Sequence, residues 1–151
     1  FASLHRLPVL FLCEDNGLAV HSSVRERQSY DLKRLVEAYG IEFHHIDEGY
    51  DPDLVFQRSG EVIRGIRDTC APAFLRIKTS RYREHVGPGE DFSSGYRSRE
   101  ALQSWLAKDP LENRRGEFQQ IESEIKKEID AAVQFAIDSP FPTAEDLLTD
   151  V

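Results

Sequence analysis

Leu7-Pro8-Val9-Leu10-Phe11-Leu12-Cys13-Glu14-Asp15-Asn16-Gly17-Leu18 is a short apolar run that ends abruptly in acid, acid, amide and glycine. An unbroken apolar run of this length is the pattern of a strand covered on both faces, as in parallel sheets. Its polar end then delivers oxygen donors to the carboxyl edge of a sheet, where open α/β folds bind their ligands. The stretch therefore predicts an α/β protein and one half of a ligand site.

Working outward, Ser29 is the expected cap of a helix that carries Leu32, Leu35, Val36 and Tyr39 and stops at Gly40. Ile41-Glu42-Phe43-His44-His45-Ile46 alternates and reads as a second strand. Asp51 caps a helix with Pro52 at its first position and Leu54, Val55, Val62, Ile63 and Ile66 along one face. Ala73-Phe74-Leu75-Arg76-Ile77 follows as a third strand. Strand, helix, strand, helix, strand with short connections predicts a parallel sheet with right-handed crossovers and helices on its faces. From Ser80 to Ser98 the periodicity lapses into glycine, proline and charge. Ser98 then caps a helix through Ala101, Leu102, Trp105 and Leu106 that Asp109-Pro110 breaks. A longer amphipathic helix carries Phe118, Ile121, Ile125, Ile129, Ala132, Val133 and Ala136, and Ser139-Pro140 ends it. A short helical turn is expected between Thr143 and Val151.

The totals bound the function. A chain of 151 residues suits one domain with a real core. Its net charge of -8 argues against non-specific binding to nucleic acid, which needs a cationic surface. No apolar run approaches the roughly 20 residues that span a bilayer, so no membrane partner is expected. Cys13 and Cys70 fit neither a metal spacing nor a disulfide framework, which makes a reducing, cytoplasmic setting the expectation. The absence of methionine predicts a piece whose N-terminal part is missing.

Two stretches could carry chemistry. In Glu14-Asp15-Asn16-Gly17-Leu18, Asn16 offers a side-chain carbonyl and Leu18 a backbone carbonyl, the hard oxygen donors that Mg²⁺ takes, with Gly17 permitting the sharp turn between them. The plain alternative is an ordinary turn, since Asp, Asn and Gly dominate turns for local reasons. In Lys78-Thr79-Ser80-Arg81-Tyr82-Arg83-Glu84-His85-Val86-Gly87-Pro88-Gly89, Arg81 could grip phosphate oxygens and His85 could approach the same anion. A solvated loop is the alternative here. His44 and His45 are adjacent on a strand and point to opposite faces, so they do not make a metal pair. His21, Ser22 and Ser23 flank the first loop as plausible cleft residues.

Pro8 to Ser23, Arg81 to His85 and Tyr96-Arg97-Ser98-Arg99-Glu100 together resemble the alpha subunit of the thiamine-diphosphate-dependent 2-oxo acid dehydrogenases, with acetoin dehydrogenases as close relatives. The resemblance implies part of a three-layer, parallel-sheet thiamine-diphosphate-binding fold over residues 1–97, with residues 98–151 as a helical C-terminal extension of the same domain. It implies Asn16 as side-chain ligand and Leu18 as backbone ligand of Mg²⁺, Arg81 as a diphosphate-binding arginine, and His85 near the diphosphate and the channel to the reacting carbon. Asp15-Asn16 resembles the second half of a split motif whose Gly-Asp-Gly half would precede Phe1. Asp15 stands where the family has an asparagine and adds a negative charge beside the metal, while Leu18 replaces an aromatic that a backbone ligand does not need. Val86 occupies the position of a regulatory serine in mammalian members. The implied reaction is oxidative decarboxylation of a 2-oxo acid with transfer of the acyl group to a lipoyl carrier protein. The implied partner is a beta subunit, in an assembly of two alpha and two beta chains. Acetoin cleavage, or a non-catalytic α/β assembly fragment, are the alternatives.

Overall fold

The computed structural model describes residues 1–149. It divides into two compact units, Phe1–Asn113 and Arg114–Val151. The first is an α/β unit built on three parallel strands.

Strand β1 spans Leu10–Asp15 and is followed by a small antiparallel pair, β2 (Leu18–Ala19) and β3 (Ser22–Ser23). A four-residue helix α1 (Val24–Arg27) leads to α2 (Leu32–Ala38) and strand β4 (Glu42–Ile46). Helix α3 (Pro52–Thr69) then precedes strand β5 (Ala73–Lys78). The expected strand–helix alternation is present, and the sheet order is β1-β5-β4 with both pairings parallel.

This order explains where the core sits. As the central strand, β5 buries Ala73, Leu75 and Ile77, while Ile46 from β4 and Val62 and Ile66 from α3 close over one face. Leu75, 1% exposed, is the most enclosed side chain, and burial of one such leucine contributes about 1.5–3 kcal/mol. On β1 the outcome differs from the expectation of a strand covered on both faces: Phe11 and Leu12 are 40% and 53% exposed. The reason is position, since β1 pairs only with β5 and forms an edge. The strand also starts later and runs further than the apolar run suggests, because Glu14 and Asp15 stay in register opposite Ile77 and Lys78.

Local signals behave as their chemistry requires. The Asp51 carboxylate accepts from the backbone N–H groups of Asp53 and Leu54, with Pro52 at the first helical position of α3. For α2 the cap is Asp31, which accepts from Arg34 N at 2.8 Å, and not Ser29. An N-cap oxygen must reach an amide two or three residues ahead, and Ser29 lies two residues too early for a helix that begins at Leu32.

After β5 the irregular segment contains a single 3-10 turn, Phe92–Ser94. Ser98 caps α4 (Arg99–Leu106) through Ala101 N, and Pro110 opens a short α5 (Pro110–Asn113). Trp105 of α4 meets Tyr50 edge to face at 5.3 Å, and Lys108 Nζ donates to the Tyr50 hydroxyl, which fastens α4 to the start of α3.

The second unit consists of α6 (Arg115–Asp138) and a 3-10 turn at Glu145–Leu148. Ile121, Ile125, Ile129 and Val133 lie half exposed along α6. The remainder of the expected tail, residues 150 and 151, lies outside the described residues. Among the described residues no helix is long and apolar enough to cross a membrane.

Candidate functional site

The register of β1 and β5 decides what can meet. Asp15 stands opposite Lys78, and Thr79 N donates to Asp15 O at 2.9 Å. The two strands therefore end at one level, about 4.8 Å apart as parallel neighbours, and the chain leaves both at the carboxyl edge of the sheet. The turn that starts at Asn16 and the segment that carries Arg81 depart side by side.

The first turn is held by its own side chains. Asp15 Oδ1 accepts from Gly17 N at 2.8 Å, and Asn16 Oδ1 accepts from Leu18 N at 2.9 Å. Gly17 has φ +72°, a left-handed conformation that a side chain disfavours. Gly17 O then accepts from Val24 N, and Ser22 Oγ donates to Ala19 O. Glu26 accepts from both the amide and the hydroxyl of Ser23, which holds its carboxyl below the usual range. The serines of this loop are thus engaged in shaping it.

Asp15 does not add an uncompensated charge to the crevice. Its Oδ2 receives Arg76 Nε at 2.6 Å from β5, so both carboxylate oxygens are occupied. Burial and Asp15 push the Cys13 thiol upward against the pull of Arg76, which keeps it in the unreactive thiol form.

The second segment is organised around a residue that the sequence reading passed over. Asp91 is the single buried charged residue among the described residues, at 5% exposed. Its Oδ2 accepts from Arg81 Nη2 at 3.0 Å and from the Tyr96 hydroxyl, and its Oδ1 accepts from Arg97 Nε at 2.6 Å. Burial alone would raise the Asp91 carboxyl. The bonds from Tyr96 and Arg97 and the charges of both arginines outweigh it and hold the group below its ordinary value. Tyr96 shifts the other way: burial, then its bond to Asp91, push the phenol up. The available signal was Asp91 followed by Gly95-Tyr96-Arg97 in a charge-rich stretch, and nothing in that spacing shows that the chain folds back on itself.

Arg81 is also linked to the first loop, since its Nη2 reaches Val20 O at 3.5 Å. His21 and Tyr96 bring their rings to 5.0 Å. The two loops thus meet, with Asn16, Leu18 and Arg81 partly buried at one edge. His85 sits exposed at the tip of a tight excursion closed by Glu84 N donating to Gly89 O and by Gly89 N donating to Glu84 Oε1. His44 and His45 lie elsewhere, beside Glu42 and Asp47 on β4 and its end, lining an open groove of about 930 Å³ against α3.

Asn16 Oδ1 and the carbonyl of Leu18 are the donor type a hard divalent cation takes, and a carbonyl oxygen already accepting one bond keeps a second lone pair. No cluster of three histidine, cysteine or carboxylate groups suited to a metal exists among the described residues.

The chain is 29% identical over 162 aligned residues to the pyruvate dehydrogenase E1 component subunit alpha of Rickettsia bellii, covering 99% of this chain and 48% of that protein. The corresponding subunits of Rickettsia typhi and Rhizobium meliloti are 30% and 28% identical, covering 48% and 46% of their lengths and 99% of this chain. The chain thus spans about half the length of the curated relatives it matches. The model of the dehydrogenase E1 component family matches residues 1–145, and this chain belongs to that family.

Proposed function

We propose that this chain is part of the alpha subunit of a thiamine-diphosphate-dependent dehydrogenase that oxidatively decarboxylates a 2-oxo acid and passes the acyl group to a lipoyl carrier protein. The observation that supports it most directly is the common end of β1 and β5, from which the turn carrying Asn16 and Leu18 and the segment carrying Arg81 leave one sheet edge, with Arg81 Nη2 reaching Val20 O at 3.5 Å. In this reading Asn16 Oδ1 and Leu18 O would hold Mg²⁺, which would supply charge neutralisation for the cofactor diphosphate. Arg81 neutralises phosphate charge through a charge-assisted hydrogen bond. The ion pair of Asp15 with Arg76 keeps that carboxylate from competing for the cation. In the same reading His85, carried exposed on its tight excursion, belongs to the cofactor end of the crevice, near the diphosphate and the channel to the reacting carbon.

The cofactor, when bound, supplies the electron sink that decarboxylation of a 2-oxo acid needs. In the proposed assembly two such alpha subunits pair with two beta subunits in the cytoplasm, and the beta subunit completes the cofactor site.

The test uses the complete alpha–beta assembly and calorimetry of thiamine diphosphate with Mg²⁺. Asn16→Ala is expected to weaken binding on the order of 100-fold, since even partners behind a metal ligand cost 10–100-fold when lost. Arg81→Ala is expected to cost about ten-fold, the worth of one charge-assisted bond. Unchanged affinity in both variants overturns the reading.

A further inference from the structure

A buried carboxylate is costly unless it is paired and fully hydrogen-bonded. Asp91 meets that demand with two guanidinium groups and a phenol, which leaves its cluster with one net positive charge. The local fold is built for the purpose. The 3-10 turn at Phe92–Ser94 ends at Gly95 with φ +78°, and the reversal returns Tyr96 and Arg97 onto Asp91. Arg97 lies over the Phe92 ring at 4.8 Å, with Arg99 also 4.8 Å from that ring.

The bonds converge on one residue. Arg97 Nη1 donates to the backbone carbonyl of Arg81, and Arg97 Nη2 donates to that of Arg83 at 2.9 Å. The Arg81 side chain is fixed separately: Nε donates to Arg83 O at 3.0 Å, and Nη2 donates to Asp91 and to the Tyr96 hydroxyl at 2.5 Å. The backbone and the guanidinium of Arg81 are thus held by the same cluster, and the Nη1 end of its fork lies outside these contacts.

We propose that Asp91 is a positioning residue for anion binding, which with Tyr96 and Arg97 presets the Arg81 guanidinium so that a diphosphate meets an ordered cation. The inference rests on the reading of Arg81 given above. A free arginine side chain loses rotamer freedom when it captures an anion, and a side chain already ordered does not. Asp91 takes no part in the chemistry and does not touch the ligand. It acts through Arg81.

A double-mutant cycle in the complete alpha–beta assembly separates positioning from simple structural support. Thiamine diphosphate with Mg²⁺ is the probe, titrated by calorimetry into Asp91→Asn, Arg81→Ala and the double variant. Asp91→Asn is expected to weaken binding about ten-fold in the parent and less than about two-fold in the Arg81→Ala background. Its kcat at saturating cofactor is expected to stay within about two-fold of the parent, so that the loss falls on the cofactor KM. Equal losses in both backgrounds, or a loss confined to kcat, overturn the proposal. Should Asp91→Asn not fold, Tyr96→Phe takes its place, with about three-fold expected in the parent and none beside Arg81→Ala. If Arg81→Ala weakens binding and neither partner variant does, the positioning role alone fails. If Arg81→Ala itself has no effect, the reading of Arg81 fails with it.

Discussion

Two segments leave the same sheet edge from neighbouring strands, and different physics holds each. The turn after β1 is fixed by bonds across two or three residues: Asp15 to Gly17, Asn16 to Leu18, Ala19 to Ser22. The segment after β5 is fixed across 5 to 16 residues, by Tyr96 and Arg97 closing on Asp91 and on the carbonyls of Arg81 and Arg83. A local turn tolerates the loss of one bond because its neighbours still define the backbone. A cluster around one buried carboxylate does not, because removal of the anion leaves two cations facing each other.

The largest test of that contrast removes the anion. Asp91→Ala is expected to accelerate amide exchange between Arg81 and Arg97 on the order of 100-fold, while Gly17 and Leu18 change by no more than a few-fold. Hydrogen exchange read by mass spectrometry distinguishes the two segments in one sample. Equal acceleration in both would mean that they open as one unit and that the contrast is wrong.

A smaller effect follows from titration. The Asp91 carboxyl lies below its ordinary value in the folded chain, so its contribution is complete above the unfolded value near 4 and is lost as pH falls through the lowered one. The Tyr96 phenol lies above its ordinary value, so its contribution is complete below about pH 10 and is lost as pH rises further. Opening of the 81–97 segment, read as exchange relative to the intrinsic rate at each pH, is expected to be flat between these limits and to rise outside them. In Tyr96→Phe the alkaline rise should disappear and the acid rise should stay. An alkaline rise that survives in Tyr96→Phe assigns it to another group.

The same contrast explains what the sequence made legible. The Asp51 and Ser98 caps and the turn at Asn16 are encoded within three or four residues, and each was readable as chemistry. The exposed faces of Phe11 and Leu12 were not, because an apolar run carries no mark of whether its strand is central or at an edge. Asp91 was missed for a related reason. Its identity as a buried hub depends on a chain reversal at Gly95 and on Arg81 ten residues earlier, and in sequence it is one acid among many in a charged loop.

The smallest predicted effect gives the sharpest comparison. Gly17 and Gly95 have nearly the same backbone, φ +72° and +78°, and neither has an atom within 4 Å of where a Cβ would stand. Alanine at either position therefore meets no clash, and the direct cost is the left-handed backbone alone, about 1 kcal/mol. At Gly17 the cost should end there, because the bonds of Asp15 and Asn16 can absorb a small shift. At Gly95 any relaxation moves Tyr96 and Arg97 away from a buried carboxylate, and their loss adds to the backbone strain. Urea unfolding of the two variants should thus place Gly95→Ala below Gly17→Ala, although the local geometry is the same. Equal midpoints would show that the segment after β5 is as locally held as the turn after β1, and that Asp91 does not tie it together.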